Sequence, residues 1–261
     1  RKNLIPELPY TSVCGEYMDS GDFLKVWDNL MEQADLPAFR KQQEEARKEG
    51  RYIGIGFGLG VELSGVSSEL MVPMENQPGY GAATIRLDAR GKVQVFEGDA
   101  PQGQGHETTA AQAVAHAFGI HPNDVVVTTG DTGTTPFGSG TIGARMGSYF
   151  VSAAVEAAEF LKKKIARFMA HDMALTGATE EDFEFVEGEI IYLKDTNIRQ
   201  NFRDACERNI MAPINLPEGE SAGLEHTAFF EAAMPMIAFN ADFCVVEVNP
   251  DDGQFKMLSW T

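Results

Sequence analysis

This sequence predicts an α+β fold, with packed helices on mixed, largely antiparallel sheets, and three observations carry that prediction. Period-two alternation recurs, most clearly where Ile53, Ile55, Phe57, Leu59 and Val61 alternate with Gly54, Gly56, Gly58 and Gly60. Runs of helical spacing interrupt the strand-like runs without the regular strand–helix–strand rhythm of a parallel sheet. Short turn signals such as Ala89-Arg90-Gly91 and Glu187-Gly188-Glu189 sit between neighbouring strand-like runs, which reads as hairpins.

Taken in order, residues 1–20 are extended and contain proline. Ser20 or Asp22 caps a helix with Phe23, Trp27, Leu30 and Met31 on one face. A second helix runs from near Pro37 to Gly50, its Glu44 and Lys48 paired at i,i+4 and its charged run, Arg40 to Arg51, a solvated face. A strand follows from Tyr52, with one face free of side chains so that another backbone can approach. Ala83 to Leu87 and Val93 to Phe96 form a hairpin; a loop and a helix, Thr109 to Phe118 closed by Gly119, come next. Val125 to Thr129 is a strand, and Ser148 to Ala170 a long helix with Val151, Val155, Ala158, Leu161, Ile165 and Phe168 on one side. Phe183 to Val186 and Ile190 to Leu193 pair, Asn201 to Arg208 is a short helix, and Pro213 to Gly223 is loop. Glu225 to Glu231, Ala238 to Val248 and Gln254 to Trp260 close the chain as strands. The expected division is a linking segment at 1–50 and an α+β region at 51–261.

Composition narrows the function. A chain of 261 residues, 43% hydrophobic and 23% charged, buries a sizeable core. With 21 Lys and Arg against 39 Asp and Glu, the formal charge is −18. Nucleic acid and anionic membranes need basic patches, so a protein or a small molecule is the better partner. The three cysteines, Cys14, Cys206 and Cys244, form no CxxC. They suit a reducing compartment, taken as the cytoplasm, and cannot supply an iron–sulfur cluster. No apolar run reaches the roughly 18 residues of a membrane span, and no signal-peptide pattern opens the chain. Arg1 in place of an initiator Met suggests a fragment or a processed chain.

The most informative stretch is Gln102-Gly103-Gln104-Gly105-His106-Glu107-Thr108, between a strand-like and a helix-like run. Two glycines one residue apart let the backbone turn tightly. The following helix aims its N–H groups and positive dipole end at that turn, an anion seat. Gln102 and Gln104 add uncharged donors and acceptors. The pattern fits a flat, polar, phosphorylated ligand; the bland alternative is that the glycines only close a strand-to-helix turn.

Gly138-Ser139-Gly140-Thr141-Ile142-Gly143 is formally GxGxxG. A nicotinamide site needs the first glycine straight after a strand. Here Asp131 to Phe137 intervene, Pro136 among them, and the next helix leads to no suitable strand. The same loop, with Thr141, a helix start and Arg145, can still hold a pyrophosphate. His106-Glu107 is not a zincin motif because position 110 is Ala110. His116, His121 and His171 read as structural or exposed, and His226 as a satisfied sheet residue. No metal ligand and no catalytic residue is assigned: no GxSxG occurs, and nothing marks Glu62, Glu69 or Glu75 as a base.

The seven-residue string resembles a cofactor loop of the molybdenum hydroxylases, the xanthine dehydrogenase and aldehyde oxidase group. It is closest to the large subunit of aerobic carbon monoxide dehydrogenase and its relatives. Arg1 to Pro6, Pro9-Tyr10-Thr11, Asp19 to Phe23, Gly54-Ile55-Gly56, Gly130-Asp131-Thr132, Gly140 to Arg145 and Phe243 to Val248 follow in the family's order. The resemblance therefore spans nearly the whole chain. It implies a cofactor, molybdopterin cytosine dinucleotide with molybdenum, held by Gln102, Gly103, Gln104, Gly105 and His106. It also implies that Thr141, Ile142, Gly143, Ala144 and Arg145 hold the dinucleotide half, with Ala144 replacing a frequent Ser.

The implied reaction is oxidative hydroxylation of an aldehyde or N-heteroaromatic carbon, or oxidation of carbon monoxide at a copper–molybdenum site. Implied partners are the rest of the large subunit, an iron–sulfur small subunit and an FAD medium subunit, in a dimer of heterotrimers. The family's proton-abstracting glutamate lies downstream of the stretch matching Phe243 to Val248, beyond Thr261, so the chain alone is expected to be silent. A nicotinamide-dependent oxidoreductase and a non-catalytic assembly module are the alternatives.

Overall fold

The computed structural model describes residues 1–13, 15–65, 68, 79–135, 138–234 and 236–261; Cys14, Glu69, Glu75 and Pro136 lie outside them. The chain forms two compact units, Arg1–Ser64 with Met234–Thr261, and Gly65–Ala233.

In the first unit, β1 (Tyr10–Thr11) and β2 (Tyr17–Met18) make a short antiparallel pair. Asp22 caps α1 (Phe23–Ala34) by accepting from Lys25 N at 2.9 Å. Asp35 then caps α2 (Leu36–Lys48) through Ala38 N at 3.1 Å. Lys48 pairs with Glu45, one residue from the expected Glu44, because i,i+3 neighbours also share a helix face. The sheet is antiparallel, ordered β12 (Phe255–Trp260), β11 (Ile237–Val248), β3 (Tyr52–Leu63). Leu30, Ala34 and Phe243 form its small core with Trp27, Ile55 and Val245. The two helices thus pack on this sheet and are more than a linking segment. Among the described residues no backbone covers Gly54 or Gly56; a Cβ there would meet nothing within 4 Å.

The second unit is built on a four-stranded sheet, ordered β10 (Glu225–Glu231), β4 (Tyr80–Leu87), β5 (Val93–Glu97), β6 (Val125–Thr129). Its pairings are antiparallel except β5 with β6, where Val93 faces Val125. The helices α3 (His106–Phe118) and α4 (Met146–Asp172) pack on each other; α3 also meets β6, and α4 meets β4 and β10. Small side chains make this close contact possible: Ala110, Ala153, Ala154, Ala157 and Ala158 are all fully buried. A hairpin of β7 (Phe183–Val186) and β8 (Glu189–Tyr192) gains a third strand, β9 (Arg199–Asn201), and leads into α5 (Phe202–Met211). The expected α+β class and hairpins are therefore present. The helix starts at 106 and 146 fall two or three residues earlier than the periodicity suggests, since a first turn need not be apolar.

Candidate functional site

Strand β5 ends in charge. Its alternation puts Val93, Val95 and Glu97 on one buried face, so an apolar series terminates in a carboxylate that is only 2% exposed. Asp99 is buried beside it, and its N–H donates to Glu97 Oε1 at 2.8 Å. Burial pushes the Glu97 carboxyl up to about 8; the Asp99 charge adds to this, while the Asp99 N–H and Arg145 oppose it.

The chain then turns through Gly103 and Gly105, at φ 97° and 82°, left-handed values that favour glycine. Gly105 is the N-cap residue of α3, which has no side-chain cap bond. A second loop comes up against the first. Gly138 lies so near Gly98 that a Cβ would sit 2.6 Å from the Gly98 carbonyl carbon. Asp99 Oδ1 accepts from Gly140 N, Thr141 Oγ1 donates to Ala100 O at 2.7 Å, and Gln102 Nε2 donates to Thr141 O at 3.0 Å. The second loop ends in Gly143 and Ala144, at φ 57° and 50°, followed by Arg145 in the right-handed helical region. Such a left-then-right pair turns successive N–H groups the same way, an anion-holding concavity. Arg145 is the N-cap residue of α4, again without a side-chain cap bond.

The two loops enclose a cavity of about 410 Å³. From the first loop and α3, Gln102, Gln104, His106 and Thr109 line it; from the second, Thr141, Ile142, Gly143 and Ala144. Met146, Gly147, Phe150 and Val151 of α4 complete the wall. Two loops that the sequence singles out separately thus meet in one place. The glutamines are partly committed to the loops: Gln102 Nε2 binds Thr141 O, and Gln104 Oε1 accepts from Gln102 N at 2.6 Å. Arg145 departs further from expectation. It is 3% exposed and absent from the cavity wall, because Gly140 O at 2.5 Å, Ser139 Oγ and the Asp99 carboxylate at 3.9 Å claim its guanidinium.

His106 is the one histidine on the wall and is 4% exposed. Among the described residues, neither of its ring nitrogens has a hydrogen-bond partner, nor has Glu97 Oε2. His226 instead stacks on Phe160 with ring centroids 3.7 Å apart, and His121 Nδ1 accepts from Asn123 N. The Gly138 loop does not follow β6 directly, and β5–β6 is the sole parallel pairing among the described residues, so no Rossmann frame surrounds it. Glu97 and Asp99 escaped the sequence reading. The signal was there: period two continues from Val93 and Val95 onto Glu97, which places a carboxylate at a core position.

Comparison with known proteins gives a consistent result. The model of a family described as "Molybdopterin cofactor-binding domain" matches residues 29–261. The large subunit of nicotine 6-hydroxylase from Paenarthrobacter nicotinovorans is 32% identical over 98% of this chain and 31% of its own length. The carbon monoxide dehydrogenase large chain of Hydrogenophaga pseudoflava is 28% identical over 98% of this chain and 32% of its own. The crystal structure of quinoline 2-oxidoreductase from Pseudomonas putida 86 superposes with a TM-score of 0.85 at 27% identity, over 97% of this chain and 32% of that one. The chain thus spans about a third of the length of the curated relatives it matches.

Proposed function

We propose, on the premise that the chain belongs to the molybdopterin cofactor-binding domain family of the molybdenum hydroxylases, that its two glycine loops hold a molybdopterin dinucleotide. The observation that carries this reading is the meeting of both loops at two helix starts that lack side-chain caps. The first N–H groups of a helix have no intrahelical partner and favour an anion. The cavity therefore offers two such seats, a left-handed turn at Gly143 and Ala144, and an unpartnered His106. A volume of about 410 Å³ lies in the usual range for a cofactor pocket. These residues fit the group.

Within that reading, Gln102, Gly103, Gln104, Gly105 and His106 face the pterin side. Thr141, Ile142, Gly143 and Ala144 hold the dinucleotide phosphates, the cytosine form being the expected one. Arg145 serves from behind, fixing the Gly138–Gly143 loop through the Gly140 carbonyl and Asp99. The bound cofactor supplies the molybdenum centre that oxidises the substrate. This chain orients it and keeps water from its phosphates.

The substrate we favour is an N-heteroaromatic ring. The relatives named for nicotine and quinoline lie at 32% identity and a TM-score of 0.85, against 28–29% and 0.80–0.82 for those named for carbon monoxide. Electrons leave through iron–sulfur and FAD subunits in a cytoplasmic complex, as the resemblance implies.

The test is metal and pterin analysis of the protein purified with its partner subunits. One molybdenum and one cytidine nucleotide per chain are expected, with loss of both in a Gly103→Val/Gly105→Val variant that still folds. Undiminished cofactor in that variant contradicts the site. Dye reduction with carbon monoxide but with no N-heteroaromatic contradicts the substrate class.

A further inference from the structure

We propose that Glu97 and His106 share one proton, and that an oxyanion entering the cavity draws it from Glu97 Oε2 to Nδ1 of His106, charging that histidine only when the anion is present. The pair rests on the geometry alone. The identity of the oxyanion, a phosphoryl group of the cofactor, rests on the function proposed above.

Three observations support the pair. Glu97 Oε2 and both ring nitrogens of His106 are buried polar atoms without hydrogen-bond partners among the described residues. Leaving such groups unpaired is costly, so an arrangement that retains them calls for a use. The two also face each other: Oε2 and Nδ1 are 3.7 Å apart, on side chains 2% and 4% exposed. A shift of under about 1 Å converts that separation into a hydrogen bond. Finally, Glu97 enters neutral solution still carrying its proton, because burial outweighs every influence that would remove it.

The position of His106 supplies the switch. As the first residue of α3 it sits at the positive end of a helix, where an anion is favoured. An oxyanion against the same helix start reverses that field. The proton balance is internal. The Glu97 O–H bond breaks, an N–H bond forms at Nδ1, and the Nε2–H bond is kept, with nothing taken from solvent. The other charged groups about the pair are Asp99, whose charge and side-chain hydrogen bond both hold the proton on Glu97, Arg145, which opposes this more weakly and lies 3.9 Å from Asp99, and the exposed Glu107 of the first turn. The transfer leaves the net charge of the pair unchanged, with an imidazolium on the cavity wall and a carboxylate at Glu97, which is not part of that wall.

Histidine-selective 15N NMR on the full protein freed of cofactor tests this, the His106 signal being the one lost in His106→Asn. Sulfate is the probe because it does not titrate near neutrality. In the sulfate-free protein at pH 7.5, His106 should carry its proton on Nε2 alone. Saturating sulfate should protonate Nδ1 at the same pH. Glu97→Gln keeps the Oε1 acceptor for the Asp99 N–H and can still donate toward Nδ1, but it has no proton to give. In that variant the sulfate-induced protonation should be lost, while the Nε2–H tautomer persists. A proton on Nδ1 without sulfate, a His106 signal that sulfate leaves unmoved, or an unchanged response in Glu97→Gln overturns the proposal. The cofactor reading fails separately: a protein without molybdopterin whose Glu97 and His106 still respond together refutes that reading and keeps the pair.

Discussion

The helices of this chain begin in two ways. α1, α2 and α5 are closed by Asp22, Asp35 and Asn201, each accepting a backbone N–H from two or three residues further on. α3 and α4 begin at Gly105 and Arg145 and have no side-chain cap. A missing cap costs a helix about 1 kcal/mol, and an arginine beside a helix start is electrostatically unfavourable. α4 carries both costs; α3 lacks a side-chain cap only, and a glycine at that place reduces the cost to a few tenths of a kcal/mol. Where a helix only supports the fold, its own sequence finishes it. On the function proposed above, a ligand takes the place of the cap where the start is left open.

The largest effect is expected from removing the titratable carboxyl of Glu97, buried near the open starts. Glu97 has its carboxyl raised from 4.5 to about 8 in the folded chain. Folding therefore binds a proton over that window. The stability this contributes is complete below pH 4.5 and is lost as pH rises through about 8. Relative to the wild type, Glu97→Gln should gain on the order of 5 kcal/mol between pH 4 and pH 9, at about 1.4 kcal/mol per pH unit. Denaturant unfolding at a series of pH values reads this directly, and parallel stability curves for the two proteins would refute it.

A smaller effect is expected at Arg145. Arg145→Ala strips Asp99 of its counter-charge and the Gly140 carbonyl of a donor, so a loss of about 3 kcal/mol in stability should accompany the loss of cofactor. Cofactor loss at unchanged stability would instead return Arg145 to the ligand. The smallest effect sharpens the contrast from the other side. Asp22→Ala should cost about 1 kcal/mol in unfolding free energy and leave cofactor content unaltered. A drop in cofactor content there would erase the distinction between the two kinds of helix start.

Much of this was legible in the sequence. The alternation from Ile53 to Val61 and the helical faces of Phe23, Leu30 and Leu161 fixed their elements, because each repeats one period over several turns or pleats. Glycine placement and the family likeness single out the Gln102–His106 and Thr141–Ala144 loops, and residues of both line one cavity. Three things were not legible. β9 is three residues long, too short for any period to declare itself. Arg145 is buried beside Asp99, which arrives from a distant segment that no local pattern encodes. Glu97 was hidden by a habit of reading: charge suggests surface, yet its place in the Val93–Val95–Glu97 series put it in the core.

The most direct measurement is a crystal structure of the protein purified with its cofactor and partner subunits. The phosphate oxygens should lie within hydrogen-bonding distance of backbone N–H groups in the first turns of α3 and α4, filling the places that Asp22 and Asp35 occupy on α1 and α2. Phosphates seated elsewhere, with both helix starts facing only water, would contradict the claim that these two helices are left open for a ligand.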